Sequence, residues 1–488
     1  MLLKSRIIFT LNRIFDGNKT DSQERKCDIH PAGMNPTIQK IFKVMKKHSL
    51  KHVNNPHFWA LLILILSFST GCRSRSETIP KPGKTMVNFW HAMGRTHSNI
   101  LNGIIMDFER NNPDVDINVV YQGSYDSLLT NLTASCTAGT NPVMAQMYES
   151  WTTRFIEHQL MMPVEDLARK YGGLSEEDRK DFVRVFIEDN SWDNRLITLP
   201  FNKSAYVLYY NRDAMKEIGM TDEKGRGRAP VTWEELRTAC KKLTVKQGGG
   251  RKRYGFGIRP FIEGYTTFLF RAGGSYLDPS GQEILFDNEI GLSALQYLVD
   301  MVNKDRTAYV EPDYLSTAFA TGNIAMFVSS TASLPYNEKA VGEKFDWDTA
   351  PIPYLEGKER VSRTLFQGTN IGIFNNHPPK TLQAAWRFLQ FLTDTENAAT
   401  WSIGTGYLPI RYSVLKMDKM KQYLQKNPRY QTPVSLLDNG QFESRLVVWE
   451  PMRTVITDHF EAALNGRRSP DDALKHMKSQ CEKIIKTF

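Results

Sequence analysis

Between Met86 and Met147 short apolar runs alternate with amphipathic helical stretches, and this alternation restricts the fold more than any other feature. Met86-Val87-Asn88-Phe89-Trp90 reads as a strand. Ile100, Leu101, Ile104, Ile105 and Phe108 then recur at helical spacing until Asn111-Asn112-Pro113 stops them. Val115, Ile117 and Val119 alternate with polar residues, the pattern of a half-buried strand. A second helix follows, with Ser124 as N-cap and Leu128, Leu129 and Leu132 on one face, and Val143 to Met147 forms a third strand. Strands and helices in strict alternation build a mostly parallel sheet covered by helices, so the fold class is α/β. The order resumes downstream. Tyr206 to Tyr210, Ile324 to Ser329 and Ile371 to Phe374 read as strands. Helices are expected from the Thr232 cap, over Leu382 to Leu392, and from Ser469 to the end.

The 488 residues, 41% hydrophobic and 24% charged, suit two large lobes or about three domains. The formal charge of +9 would suggest a polyanion partner if it were spread over the chain. It is not: residues 1–71 hold 11 Lys/Arg against 4 Asp/Glu and leave only +2 for the rest. No nucleic-acid footprint is expected. The basic stretch leads into the one long apolar run, Phe58 to Phe68, which is too short to cross a hydrocarbon core of roughly 30 Å comfortably. Lys43, Lys46, Lys47 and Lys51 precede the run and Ser69-Thr70-Gly71-Cys72 follows it, as in a secretory signal peptide. Small residues ending on a cysteine resemble a bacterial lipobox, with Ser69 where leucine is usual. The expected organisation is therefore a basic n-region and signal peptide over 1–71, with Met45 a start that would give a leader of ordinary length. A lipidated Cys72 and a polar, proline-containing tether then cover 72–84.

Of the cysteines in the mature chain, Cys72, Cys136, Cys240 and Cys481, none forms a C-x-x-C or a Cys/His metal spacing, so lone buried thiols and no metal are expected. The chain has no H-E-x-x-H, G-x-S-x-G, Walker A or G-x-G-x-x-G motif, which points to a protein that is not an enzyme and carries no cofactor. Gly248-Gly249-Gly250-Arg251-Lys252-Arg253 lacks the Gly-Lys-Ser/Thr ending of a phosphate loop and reads as a solvated turn. His91, beside Trp90, reads as a packing residue as readily as a site.

Several segments, in order, carry a resemblance. They are Phe89-Trp90-His91-Ala92-Met93, Tyr121-Gln122-Gly123-Ser124-Tyr125, Met147-Tyr148-Glu149, Leu199 to Ser204, Val207 to Asn211, Ile324 to Ser330, Phe366-Gln367-Gly368-Thr369, and Thr405 to Ile410. Together they resemble the extracellular solute-binding proteins of carbohydrate-type ABC importers. The likeness runs from Thr85 to Phe488 and is nearest to the members that bind sn-glycerol-3-phosphate. The resemblance implies a two-lobed periplasmic-binding-protein fold of the maltose-binding type with the ligand in the cleft. By analogy the first lobe would hold 85–203 plus 349–400, and the second 204–348 plus 401–488. It also implies a monomeric capture protein, exported to the periplasmic or cell-surface face and anchored through Cys72, that hands its solute to ABC permease subunits.

Carried over residue by residue, the family's binding positions fall on Tyr125, Glu149, Ser204, Ser330, Gly368 and Tyr407. The arginine expected to hold a phosphate falls on Arg453, one position out of register, with Arg445 as a second candidate. The chemistry is coherent: a guanidinium meets two phosphate oxygens, serine hydroxyls donate, an ionised Glu149 accepts from vicinal hydroxyls, and the tyrosines offer a ring wall with a polar tip. Of the tryptophans Trp90, Trp151, Trp233, Trp347 and Trp401, Trp90 is placed nearest a cleft, since it ends a strand where α/β sheets bind ligands. Three functions follow: capture of sn-glycerol-3-phosphate or a glycerophosphodiester, capture of a neutral mono- or oligosaccharide, or a secreted glycoside-acting enzyme using two cleft carboxylates.

Overall fold

A computed structural model describes residues 82–247, 250–278 and 280–487. The signal peptide, Cys72 and all but the last three tether residues lie outside the described residues, as do Gly248, Gly249 and the side chains of Arg251 and Lys252. The alternating N-terminal pattern folds as expected: β1 (Thr85–His91), α1 (Arg95–Asn111), β2 (Val115–Tyr121), α2 (Tyr125–Thr137), β3 (Met144–Met147) and α3 (Glu149–Glu157). Strand β1 lies between β2 and β3 and is parallel to both. Ser124 caps α2, its hydroxyl accepting from the Ser127 N–H at 3.1 Å. Strand β2 is more buried than simple alternation suggests, since Asp116 is covered as well as Val115 and Ile117.

Two long strands then organise the molecule. β4 (Leu199–Asn211) joins the Leu199–Ser204 motif and the expected Tyr206–Tyr210 strand into a single 13-residue element. Its first part pairs with the later strand β9 (Thr364–Phe374), and its second part pairs with β7 (Ile324–Ser330) and β8 (Trp347–Ala350), all antiparallel. β9 likewise pairs with β3 and with β4. The sheet reads β6-β5-β7-β4-β9-β3-β1-β2, where β5 is Gly250–Ile258 and β6 is Ala308–Val310. Because β4 and β9 run through both halves, they are the crossings between them.

Each half buries its own core. In the first, Val87, Phe89, Leu101, Phe108 and Ile371 pack with α4 (Pro379–Leu392), whose Leu382, Trp386, Leu389 and Leu392 are buried in one stripe. In the second, Leu208, Phe256 and Met326 pack with α5 (Trp233–Leu243), α6 (Ile262–Arg271), α7 (Trp449–Leu464) and α8 (Pro470–Thr487). Ala473, Met477 and Cys481 close that core on the expected face. Trp401, Leu408, Ile410, Val414, Met420 and Leu437 belong to the first core, so chain beyond residue 400, expected in the second lobe, packs on the first. The chain then alternates between the halves: Tyr430 and Leu436 pack with Val207, Tyr209, Phe319 and Trp347 of the second, Leu437 and Phe442 return to the first, and Leu446–Trp449 enter the second again. Among the described residues the cysteines are free, with Cys240 and Cys481 buried and Cys136 partly so. No described helix is long and apolar enough to cross a membrane, and no described group of three His, Cys, Asp or Glu is placed to hold a metal ion.

Candidate functional site

A cavity of about 240 Å³ lies between the two halves. Strand β3 ends at Met147, and Tyr148 N-caps α3, so Glu149 stands at the strand end where an α/β sheet presents ligand groups. Tyr125 opens α2 on the same side. The opposite wall comes from Glu263 on α6, from Phe442, Glu443 and Ser444, and from Trp449, Glu450 and Arg453 on α7. Gln367 and Gly368 of β9 form the floor. The structure thus brings Tyr125, Glu149, Gly368 and Arg453 into one cavity, although 328 positions separate the first and last.

Gly368 is required for a reason other than close approach to a ligand. Its φ is +129°, and a Cβ there would stand 1.7 Å from the Asn202 carbonyl oxygen on β4. A register shift follows immediately: Thr369 pairs with Asn202 and Asn370 with Pro200, so Phe201 of β4 is the extra residue of a bulge.

Glu149 is not a lone acceptor. The Lys203 ammonium donates to its Oε1 at 2.8 Å and to Asp189 Oδ2 at 3.1 Å, and Asn370 Nδ2 also donates to Glu149 at 2.9 Å. Burial is the largest influence and works to raise the Glu149 pKa, but the Lys203 charge and the hydrogen bonds from Lys203, Asp189 and the backbone together outweigh it, and the carboxyl sits below its usual range. Asp189 is pushed well above its usual range by burial and by the Glu149 charge. Of the two, Glu149 is favoured as the charged partner and Asp189 as the holder of a proton. Arg453 is held between two acids, its Nη2 donating to Glu263 Oε1 at 2.5 Å and its Nη1 to Glu443 Oε2. Burial and the neighbouring Glu263 charge push Glu443 up to about 7 despite that bond. Glu263, equally buried, is brought below its ordinary value by Arg453.

The sequence profile of the bacterial extracellular solute-binding proteins matches residues 103–429, more than half of the chain. The chain belongs to this family. It is 26% identical over 418 residues to the sn-glycerol-3-phosphate-binding periplasmic protein UgpB of Escherichia coli (strain K12), covering 83% of this chain and 93% of that one. Among solved structures it resembles UgpB from Mycobacterium tuberculosis in complex with glycerophosphocholine (22% identity, TM-score 0.72, 83% and 99% coverage). It also resembles the sugar-binding protein MalE from Xanthomonas citri (20% identity, TM-score 0.71, 83% and 98% coverage). The two halves are therefore the two lobes of the solute-binding fold, with the cavity in the cleft.

Other positions expected from the family lie beside the cavity or away from it. Ser204 sits under its floor, its hydroxyl directed to the Gln367 carbonyl at 3.4 Å. Tyr407 reaches the Tyr125 hydroxyl from behind, packed in parallel against Trp401 and beside His97. Ser330 caps the turn after β7, its Oγ accepting from the Ala332 N–H, and it does not line the cavity. Trp90 is buried in the core with Leu128, Leu132 and Met147, away from the cleft surface. Strand β1 lies between β3 and the edge strand β2, and Trp90 near its end packs under side chains of α2 and α3. His91 is buried as well, held near pKa 4 by burial, its Nδ1 accepting from the Met93 N–H. Arg445 donates to the Ser191 carbonyl and stacks over Trp192, so it ties the lobes together outside the cavity.

Sequence reasoning missed Lys203, Asp189, Glu263, Glu443, Trp449 and Glu450. Lys203 carried a signal, since a lysine inside an otherwise apolar strand segment needs a buried anion. Glu263 and Glu450 sit at helix starts, Asp189 at a helix end and Glu443 in a loop, all places where surface acids are common.

Proposed function

We propose that this solute-binding protein captures a glycerophosphodiester, with a head group that is neutral or cationic, and delivers it to an ABC permease without chemical change. The observation that carries this reading is the lining of the cavity. Five carboxylates, Asp126, Glu149, Glu263, Glu443 and Glu450, face one guanidinium, Arg453, within walls that include Tyr148, Trp151, Phe442 and Trp449. Carboxylates beside aromatic faces suit a cationic or polyhydroxyl group, and the guanidinium suits a phosphoryl group. The volume of about 240 Å³ favours a small solute over a long oligosaccharide. Glu149 would accept from the glycerol hydroxyls and Arg453 would donate to the phosphoryl oxygens. Lobe closure would bury the solute, favoured only as far as the ligand prefers the closed state. Export and anchoring through Cys72, a monomeric state and the absence of catalysis belong to the same reading. The relatives' names support it: one is called a sn-glycerol-3-phosphate-binding protein and another was crystallised with glycerophosphocholine.

A neutral mono- or disaccharide is the second reading. It is favoured by the same acids and rings and by the likeness to a sugar-binding protein. Isothermal titration with glycerophosphocholine, sn-glycerol-3-phosphate and maltose separates the two. Saturable 1:1 binding of a glycerophosphate ester, lost in Arg453→Ala, is the expected result. An isotherm with maltose alone would sink the phosphate reading and keep the transport role.

A further inference from the structure

The phosphoryl-binding arginine of the cleft is already engaged. Arg453 has five N–H groups, of which one on Nη2 goes to Glu263 Oε1 and one on Nη1 to Glu443 Oε2. Nε–H and the two remaining Nη hydrogens are left for a ligand. The two acids are themselves fixed. Gln367 Nε2 donates to both, at 3.2 Å and 3.4 Å, while Thr266 Oγ1 and Trp449 Nε1 donate to Glu443 at 3.3 Å and 3.4 Å. These donors come from β9, α6 and α7, so the clamp is built from three separate elements and is not an incidental surface pair. Glu450, Tyr148, Tyr206 and Tyr276 are further titratable groups set close enough to act on the clamp.

With both acids ionised the clamp carries a net charge of −1, and with one protonated it is neutral. Neither state suits a phosphomonoester, whose charge at neutral pH is about −1.5 to −2. A diester brings only one negative charge, and a cationic head group offsets it.

We propose that Glu263 and Glu443, by clamping Arg453 from both sides, are the specificity residues that make the cleft favour phosphodiesters over phosphomonoesters. This rests on the reading that the cleft takes a glycerophosphate ester. The acids act by limiting the positive charge that Arg453 presents. Removing one carboxylate while keeping its shape moves the selection toward the dianion.

The test is titration calorimetry on the full-length protein with glycerophosphocholine, sn-glycerol-3-phosphate and maltose, for wild type, Glu443→Gln, Glu263→Gln and the double variant. Thermal melting of each variant establishes that it is folded. The wild type is expected to bind the diester at least tenfold more tightly than the monoester. In each single variant the monoester-to-diester affinity ratio should rise at least tenfold, and further in the double variant. A purely structural role would weaken both esters together and leave that ratio fixed. Folded variants that bind both esters with the wild-type ratio would overturn the clamp's role while the glycerophosphate reading stands. A wild type that binds maltose and neither ester would overturn that reading and the proposal with it.

Discussion

Lys203 shows how this cleft places charge where sequence patterns do not. Its side chain is fully buried, its ammonium lies between Glu149 and Asp189, and the ring of Phe442 is 4.3 Å away. Lys203→Met would leave two carboxyl groups facing each other in a dry site. Urea denaturation should show a loss of about 3–5 kcal/mol, the usual cost of breaking a buried pair from one side. Glu443 gives a pH signature of opposite kind. Its folded pKa, raised to about 7 by burial, lies above its ordinary value near 4.5, so the folded state holds this proton more tightly than the unfolded chain does. The contribution to stability is fully present below about pH 4.5 and is lost as pH rises through 7. Relative to Glu443→Gln, the wild type should lose on the order of 2 kcal/mol between pH 5 and pH 7.5, read from melting temperatures in low-phosphate buffer. A flat difference across that range would show that the acid does not titrate there.

The crossing strands explain what could be read early and what could not. Periodicity marked the helices over Arg95–Asn111, Pro379–Leu392 and Pro470–Thr487, because each buries one stripe and exposes the other. It broke β4 into a motif and a strand, because Asn202, Lys203 and Ser204 interrupt the apolar run. Those three are buried and polar, so they mark the cleft and not a strand end. Resemblance nominated Tyr125, Glu149, Gly368 and Arg453, which share the lining of one cavity, whereas Trp90, nominated by a rule about strand ends that ignores what covers the end, lies in the core. The facing acids stayed hidden since Glu263, far away in sequence, meets Glu443 and Glu450 only when α6 packs beside α7 to form one wall of the cleft. Gly368→Ala tests the strand crossing itself. The added Cβ would meet the Asn202 carbonyl at 1.7 Å, in a backbone region unfavourable to L-residues, so β4 and β9 must separate locally. Destabilisation of about 2–4 kcal/mol and loss of ligand binding are expected, whereas Gly322→Ala, also at positive φ but with no atom within 4 Å of the added Cβ, should cost less.

Three polar contacts join the walls of the cleft, which makes closure testable. Ser150 Oγ on α3 donates to Glu450 Oε1 on α7 at 2.8 Å, Thr153 Oγ1 donates to the Arg445 carbonyl at 2.5 Å, and Arg445 returns to the Ser191 carbonyl. Helix α3 packs on the first lobe and α7 on the second, so these bonds exist only when the cleft is shut. Each is worth about 0.5–1.5 kcal/mol net, and together they fall in the range that moves a two-state opening equilibrium by about one to three orders of magnitude. A Ser150→Ala, Thr153→Val, Arg445→Ala triple variant leaves Glu149, Arg453 and the aromatic walls in place, yet it should weaken ligand affinity about tenfold or more through the dissociation rate. Small-angle scattering should show the compact form reached only at correspondingly higher ligand concentration. Unchanged affinity in the triple variant would mean that the ligand's own contacts to both walls carry closure, with these bonds incidental to it.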